Sequence, residues 1–479
     1  MKMKTIKYLL LFLLIASFTF AQSGGSSGIF NPRATALGNS SVASARGVYS
    51  LGINPANLAY PGEHAVEVST IFPLLNFNFT VGNDFLSLDE FKYFFSGVEE
   101  NGEIKGKLLT DADKQRFIDL FNSGSGIRTG FSLPLFNITI NAGKEIGSFG
   151  FGIEDRFGTE VDFPVDLFKL ALYGNPPGVV YSFNDMNLKV SYLRNYSFSY
   201  ARDITELLPK GILENLNVGI TLKMVKGYAY ATLERMNTTL ETKSDYSILM
   251  NNDAQANIAV SPDFGIVWDF EEDTTKEVNA GPFPTPAGKG VGFDIGFSAK
   301  LDTVWSFGLA LTDLGSVKWD NEVVTYSSSG SFTLTKLDST QLDSLGNSFK
   351  GEGKYGEAFT SPLPSALRIG AAFRLDKFLH NNFPGEMLIV ANLNFGFNNE
   401  PGNSTTPRFS IGSEWKPVSW FPIRTGFSFG GLEGFNWGFG FGLDAGTVSF
   451  DFAAANLNSL LSLNTAKRVG ISFGSRWRF

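Results

Sequence analysis

Lys467-Arg468-Val469-Gly470-Ile471-Ser472-Phe473-Gly474-Ser475-Arg476-Trp477-Arg478-Phe479 ends the chain. Val469, Ile471, Phe473, Trp477 and Phe479 share one face of an extended strand, and Arg468, Gly470, Ser472, Gly474, Arg476 and Arg478 share the other. This follows because successive strand side chains point to opposite sides. The pattern repeats upstream, where Phe435, Trp437, Phe439, Phe441 and Leu443 alternate with Asn436, Gly438, Gly440, Gly442 and Asp444. In a soluble sandwich the apolar face would pack on a second sheet and the polar face would meet water. In an outer-membrane barrel the apolar face meets lipid and the polar, Gly-rich face lines the interior. The rest of the chain decides between the two.

Composition favours the barrel. The 479 residues exceed one ordinary soluble sandwich. They include 47 Phe and 52 Gly, bulk for lipid and small residues for an inner face, and only 18% are charged, against ~25% in typical soluble proteins. With no Cys, disulfides, haem attachment and thiolate metal sites are excluded. Residues 1–21 read as a secretory signal: Lys2, Lys4 and Lys7 precede a 13-residue apolar run, Tyr8–Phe20, and Thr19 and Ala21 are small residues at the cleavage positions. Removing them leaves 36 basic and 47 acidic residues, a net charge of −11, which argues against a nucleic-acid partner. No other apolar run reaches the roughly 18 residues of a membrane helix. An exported, β-patterned chain of low charge is expected in the outer membrane, with lipid and lipopolysaccharide as surroundings.

After a Gly/Ser-rich stretch from Gln22 to Gly28, residues 29–60 are rich in small residues and breakers and lack a strand period. Asn54-Pro55 is a helix-start signal for a short helix over Ala56–Tyr60. The segment reads either as a leader before the first strand or as a plug folded inside a barrel. Small residues favour the plug, because they let backbone approach an inner wall lined with Gly. At Arg33-Ala34-Thr35-Ala36-Leu37-Gly38 and Asn54-Pro55-Ala56-Asn57-Leu58 the chain resembles the N-terminal hatch of the long-chain fatty-acid transporter (FadL-like) superfamily, which also contains PorV-type secretion components. Phe163-Pro164-Val165-Asp166-Leu167-Phe168, Leu311-Thr312-Asp313-Leu314-Gly315 and Leu363-Pro364-Ser365-Ala366-Leu367-Arg368-Ile369-Gly370 are similar to an uncharacterised branch of these barrels. The resemblance implies passive transport of small hydrophobic compounds, with Asn54, Pro55, Ala56 and Leu58 in a hatch that rearranges. It also implies fourteen strands, and a C-terminal strand ending at Phe479 that meets the barrel-assembly machinery.

The expected organisation is a signal peptide (1–21), a hatch or plug (22–62) and an antiparallel β-barrel (63–479) with long extracellular loops. With Phe479 at the periplasmic end, Asp302-Thr303, Asp376–Gly385, Lys416–Phe421 and Asp444–Gly446 become periplasmic turns. Asp313–Pro364, Asn398–Thr406, Gly430–Gly434 and Ala455–Ala466 become outer loops, so short and long connections alternate as such barrels require, apart from two pairs of comparable length near the end. Upstream strands are expected near His64–Val81, Ile127–Asn141, Gly147–Asp155, Asn187–Ala201 and Glu214–Lys226, with Pro73 and Pro134 kinking the first two. The weakly alternating stretches Tyr228–Glu241 and Gln255–Asp269 give sixteen strands if they span and fourteen if they form an extracellular hairpin. Weak alternation and the resemblance favour fourteen. Leu86–Phe95 and Thr110–Phe121 have helical apolar spacing, with Thr110 and Asp113 placed to cap the second, and Ile204–Leu213 is a shorter periplasmic candidate.

Chemistry is sparse. His64 and His380 are far apart, no nucleophile elbow accompanies either, and Glu271-Glu272-Asp273 lacks the spaced ligands of a calcium loop. No enzyme activity, metal or cofactor is expected. Arg368, Arg374, Arg408, Glu414, Arg424, Asp451, Arg468 and Arg476 fall on polar strand faces. They read as a salt-bridged network fixing the lumen or the plug, because buried charge needs partners, with an anionic headgroup path as the alternative. The rival to transport is a secretion-associated or structural barrel whose Asp313–Pro364 loop docks a protein partner.

Overall fold

The computed structural model describes residues 31–60, 62, 64–72, 76–100, 103–209, 211–271, 276–279, 281–335, 351–380, 382–432 and 434–479. The signal segment, residues 22–30, Pro73, Glu272, Asp273 and residues 336–350 lie outside them.

Among the described residues, fourteen antiparallel strands close into a barrel. They are β1 (Val66–Thr70 continued by Phe77–Asn83), β2 (Gly126–Asn141), β3 (Ser148–Asp162), β4 (Asn187–Asp203), β5 (Asn215–Met236), β6 (Gly288–Lys300) and β7 (Trp305–Trp319). Then come β8 (Ala366–Arg374), β9 (Glu386–Gly396), β10 (Arg408–Lys416), β11 (Ile423–Gly430), β12 (Gly434–Asp444), β13 (Val448–Ala455) and β14 (Arg468–Arg478). Each pairs with the next, and β14 closes the ring on both halves of β1, with Glu67 opposite Arg478 and Phe79 opposite Ile471. The backbone of Phe479 exchanges two hydrogen bonds with Val66. Among the described residues, closure pairs the sheet edges except at the interruption of β1 between Thr70 and Phe77, where Ser475 N–H donates to the Asn76 side chain instead; inside a bilayer an unpaired N–H or C=O has no water to turn to.

The burial pattern is the inverse of a soluble sheet. On β11 and β12, Phe427, Phe429, Phe435, Phe439 and Phe441 are exposed on the outside, and Arg424, Ser428 and Asn436 are buried inside. On β6 and β7, Val291, Phe293, Phe297, Phe307 and Leu309 face outward, and Asp294, Ser298 and Ala310 inward. An apolar belt this extensive far exceeds the few hundred Å² a soluble monomer exposes, so its solvent is lipid. Trp305, Phe373 and Phe378 cluster at the periplasmic end, with ring centroids 4.6 and 5.4 Å apart. Trp415, whose indole N–H donates to Pro384 O at 3.0 Å, lies at the same level. These are aromatic side chains at the height of the headgroups.

The stretches between β5 and β6 that allowed sixteen strands do not span. β5 runs 22 residues, about twice what the bilayer needs, and its upper half pairs with Ile248–Val260, which pairs in turn with Val323–Leu334. Fourteen is the number of wall strands. The expected loop Asp313–Pro364 is largely sheet: β7 continues to Trp319, and Val323–Leu334, Glu352–Tyr355 and Phe359–Pro362 follow. β3 likewise extends to Asp162 rather than ending at Asp155. In β2 the ladder shifts register between Pro134 and Phe136, as a proline without an N–H donor demands.

Helices sit where the 3.6-residue period placed two of them: α2 (Leu88–Phe95) and α3 (Asp111–Asp119) form in the first outer loop, each opened by a capping box, Ser87/Glu90 and Thr110/Asp113. (Earlier in the chain, Pro32–Ala36 forms a short helix, α1.) Their apolar faces meet each other and α4 (Val165–Tyr173), burying Phe94, Phe117, Ile118 and Phe121, with Phe121 stacked on Phe168 at 4.2 Å. The expected helix over Ile204–Leu213 is only a single 3-10 turn, Thr205–Leu207. Leu207 is 75% and Ile212 54% exposed, so the stretch buries too little apolar surface to hold a longer helix.

Candidate functional site: the lumen and its N-terminal segment

The inward face is built from Gly, Ser, Asn and charged residues, and residues 31–60 pack against it on all sides. Asn31 caps α1, accepting from Ala34 N at 2.8 Å, with Pro32 at the first helical position. α1 lies against β11, β12, β13 and β14, and the 3-10 turn Pro55–Ala59 lies against β2 to β6. Asn54 opens that turn, accepting from Ala56 N at 3.1 Å and donating to Phe297 O at 3.0 Å and Val42 O at 3.3 Å. Contacts on opposite walls place the segment across the barrel interior. The fit depends on missing side chains. A Cβ on Gly412 would sit 2.6 Å from Leu37 O, one on Gly308 2.6 Å from Val42 O, and one on Gly426, Gly219 or Gly296 would run into Leu37, Ala56 or Asn54.

The expected site residues therefore fall into distinct groups. Asn54, Pro55, Ala56 and Leu58 are all buried, the first three seated against Gly219 and Gly296 and Leu58 against Gly150. Glu414, Arg424, Asp451 and Arg476 come together in one chain of charges. Arg33 reaches Glu414 at 2.8 Å, Glu414 meets Arg424 at 2.5 Å, Arg424 meets Asp451 at 2.5 Å, and Asp451 takes Tyr49 Oη–H at 2.8 Å and Arg476 at 3.4 Å. The N-terminal segment thus enters the network at two points, Arg33 and Tyr49. Arg368 is fully buried and donates to Gly52 O at 3.1 Å, and Arg408 donates to Ser428 Oγ at 2.7 Å. Arg374 stands apart at the periplasmic rim, forked onto Asp376 at 2.8 Å. Arg468 is at the outer rim on Asp84 and Leu432 O.

A second network escaped the reading of the sequence. Lys223 on β5 lies 2.7 Å from Asp294 on β6 and 2.6 Å from Asp313 on β7, all three buried. Arg156 on β3 reaches Asp313 at 3.4 Å and Glu154 at 2.9 Å, and Arg194 is forked onto Asp155 at 2.6 and 2.7 Å. The available signal was inward parity: Lys223 and Asp294 both alternate with outward apolar neighbours on their strands. Among the described residues the networks are largely self-neutralising, as charges removed from water must be.

Among the described residues, three cavities bear on the lumen. The uppermost, about 30 Å³, is lined by Leu193, Tyr230, Leu363 and Pro401 with Glu400, and rests on Arg156 and Asn195. The middle one, about 50 Å³, shares Arg156 and Asn195 and extends to Ser69, Asn76, Phe77, Phe473 and Gly474. Ser69 and Asn76 flank the interruption of β1, so this cavity reaches the place where the first strand leaves the ladder. The third, about 630 Å³, opens at the periplasmic end beneath the N-terminal segment.

Among solved structures, the chain is similar to the Pseudomonas putida toluene transporter TodX, with a TM-score of 0.48, 10% identity, and 94% of this chain and 98% of that one covered. It is similar also to the CymD monoaromatic hydrocarbon channel (0.42, 11%, 95% and 99%) and to a Pseudomonas aeruginosa FadL homologue (0.42, 10%, 96% and 99%). These neighbours are transporter and channel barrels rather than enzymes, and likeness at this level carries nothing about substrate. No curated protein sequence matches. The sequence profile of one family does match, over residues 64–455, most of the wall. On that match the chain belongs to DUF5723, a family of unknown function.

Proposed function

We propose that the chain is an outer-membrane barrel through which small hydrophobic compounds pass passively, with residues 22–62 as its hatch and Asn54, Pro55, Ala56 and Leu58 as the part seated on the wall. The observation that carries this reading is the middle cavity's contact with the interruption of β1. An apolar solute leaving there enters hydrocarbon directly, which is favourable by ~25 cal/mol per Å² of apolar surface. Phe479, paired at the seam with Val66, is the group presented to the assembly machinery.

The test uses the absence of native Cys. Asn76 Nδ2 lies 3.4 Å from Ser475 Oγ across the interruption, so Asn76→Cys with Ser475→Cys pins the wall when oxidised. Uptake of the apolar dye N-phenyl-1-naphthylamine by cells expressing the chain is expected to fall on oxidation and return on reduction. Equal uptake in both states, with the link verified by mass, overturns lateral passage. A docking role is favoured by a different observation, the outer sheet built from Ile248–Val260 and Val323–Leu334 above the wall. Deleting residues 323–355 with dye uptake retained would argue against that role as the principal one.

A further inference from the structure

The periplasmic cavity has a chemistry that passage of apolar compounds does not use. Its roughly 630 Å³ fall within the ~300–1,000 Å³ of small-molecule sites. Its walls carry Arg33, Arg46, Lys300, Arg374, Lys377 and Lys416 against Glu214, Glu386 and Glu414. Even with Asp376, which pairs with Arg374, counted on the acidic side, the described lining side chains are cationic in balance. Most of these cations have a near carboxylate: Arg33 has Glu414 at 2.8 Å, Lys300 has Glu214 at 2.7 Å, and Lys416 has Glu386 at 3.5 Å.

Arg46 is different. It projects from the N-terminal segment, and its guanidinium lies 3.9 Å over the ring of Tyr60, which also lines the cavity. Nη1 donates to Ala43 O at 3.1 Å and Ala45 O at 2.7 Å, which fixes the plane of the group. No carboxylate lies within ion-pair reach of it among the described residues. Nε and Nη2 are left for the cavity. A stacked, backbone-anchored guanidinium with two free donors is pre-organised for a planar fork onto an oxyanion. Lys300 and Lys416 on the same walls add long-range attraction, while Ala43, Ala372 and Leu388 give it an apolar side.

We propose that this cavity is a binding site for a small phosphate-type dianion entering from the periplasm, held by Arg46 and neutralising the cationic excess of the mouth. An anion here also braces residues 43–46 against the wall, so occupancy and seating of the N-terminal segment are linked. The site is independent of lateral passage, and either can fail without the other.

The test is calorimetric titration of the full chain, in a non-ionic detergent, with inorganic phosphate and with phenyl phosphate. Saturable binding of both is expected, tighter for phenyl phosphate. Arg46→Gln is expected to weaken it by roughly tenfold or more, the scale of one charge-assisted hydrogen bond, and Arg46→Lys to recover part of that loss. Should Arg46→Gln fail to fold, Lys300→Gln with Lys416→Gln leaves the anchor intact, and a several-fold weakening that grows at low salt is expected. Protection of Arg46 from phenylglyoxal by phosphate, read by mass spectrometry, gives a site-resolved check. Absence of saturable binding at millimolar phosphate, or equal affinity in wild type and Arg46→Gln, overturns the proposal.

Discussion

Glu414→Gln tests whether the lumen charges hold the N-terminal segment or merely fill space. The Glu414 side chain is 8% exposed and accepts from Arg33 at 2.8 and 3.2 Å and from Arg424 at 2.5 Å. Removing one member of a buried ion pair costs ~3–5 kcal/mol, chiefly by stranding the partner. Gln keeps an acceptor oxygen, and Arg424 keeps Asp451 at 2.5 Å, so the low end, about 3 kcal/mol, applies. That cost falls on Arg33, whose other hydrogen bonds go to Ser44 within its own segment. The seated state of residues 31–60 should lose about two orders of magnitude in population, while the β10–β11 ladder stays intact. Planar-bilayer recording should show more frequent open events than wild type, and limited proteolysis should cut the segment faster. A double-mutant cycle with Arg33→Gln should give a coupling of at least ~2 kcal/mol. Additivity within ~0.5 kcal/mol, with unchanged conductance, refutes the idea that this pair secures the segment.

Further perturbations separate wall, segment and loops. Gly426→Val places a side chain against the Leu37 backbone; the barrel should still assemble, with its heat-shifted band on gels, but its N-terminal segment should become protease-sensitive. Asn54→Ala removes the cap on Ala56 and a bond to the wall at Phe297 O, at a cost of about 1–2 kcal/mol in urea-induced release of the segment. Phe439→Arg, on the exposed face of β12, should cost up to ~2–4 kcal/mol in folding into lipid vesicles, whereas Phe95→Arg in the outer loop, 57% exposed, should cost little. Hydrogen bonds from Tyr93 and Thr110 hold the Asp113 carboxylate down to about 2. Its support of α3 is therefore fully present above the ordinary value of 3.8 and lost as pH falls through about 2, a transition to be followed by NMR of the helix amides.

The wall was legible because lipid imposes a period of two on the residues it touches: β6, β8 and β12 keep it throughout, and β10 and β14 break it only at Ser413 and Ser475. The reading stopped where the rule stops applying. At Thr312-Asp313 the ladder with β6 shifts by a residue, Asp313 adopts a φ of 55°, and both residues turn inward. One extra residue exchanges the faces. Beyond it Val317 and Trp319, of the same parity as the outward Leu309 and Leu311, are fully buried inside with Val225, Tyr230 and Leu363. A scan for outward apolar residues therefore ends at Thr312 and mistakes seven further strand residues for loop. Lys223 showed its inward parity and nothing more: a lone lysine in an alternating strand does not tell which carboxylates from neighbouring strands will meet it. Arg33 lay in a noticed motif, but its partner Glu414 is 381 residues away, and pairings at that distance are set by barrel closure alone.

The placement of the two networks constrains any route through the molecule. Arg156, Asp313, Lys223 and Asp294 form a buried crossbar between the upper cavity and the periplasmic half of the lumen. An apolar solute passing straight down would have to part these charges without offering them hydrogen bonds, at ~3–5 kcal/mol for each pair broken. It would then have to unseat α1 from β11–β14, and so break the Arg33–Glu414 pair as well. Leaving sideways leaves α1 seated and requires only that Arg156, the wall shared by the upper and middle cavities, swing aside, because the middle cavity meets the interruption of β1, where Asn76 bridges to Ser475 and Phe77 and Phe473 line the way. Asn76 hydrogen bonds can be exchanged for water or re-formed after passage at ~0.5–1.5 kcal/mol each. The cheaper path for an apolar compound thus ends in the membrane, and the cationic periplasmic mouth below the segment is left for ligands of the opposite character.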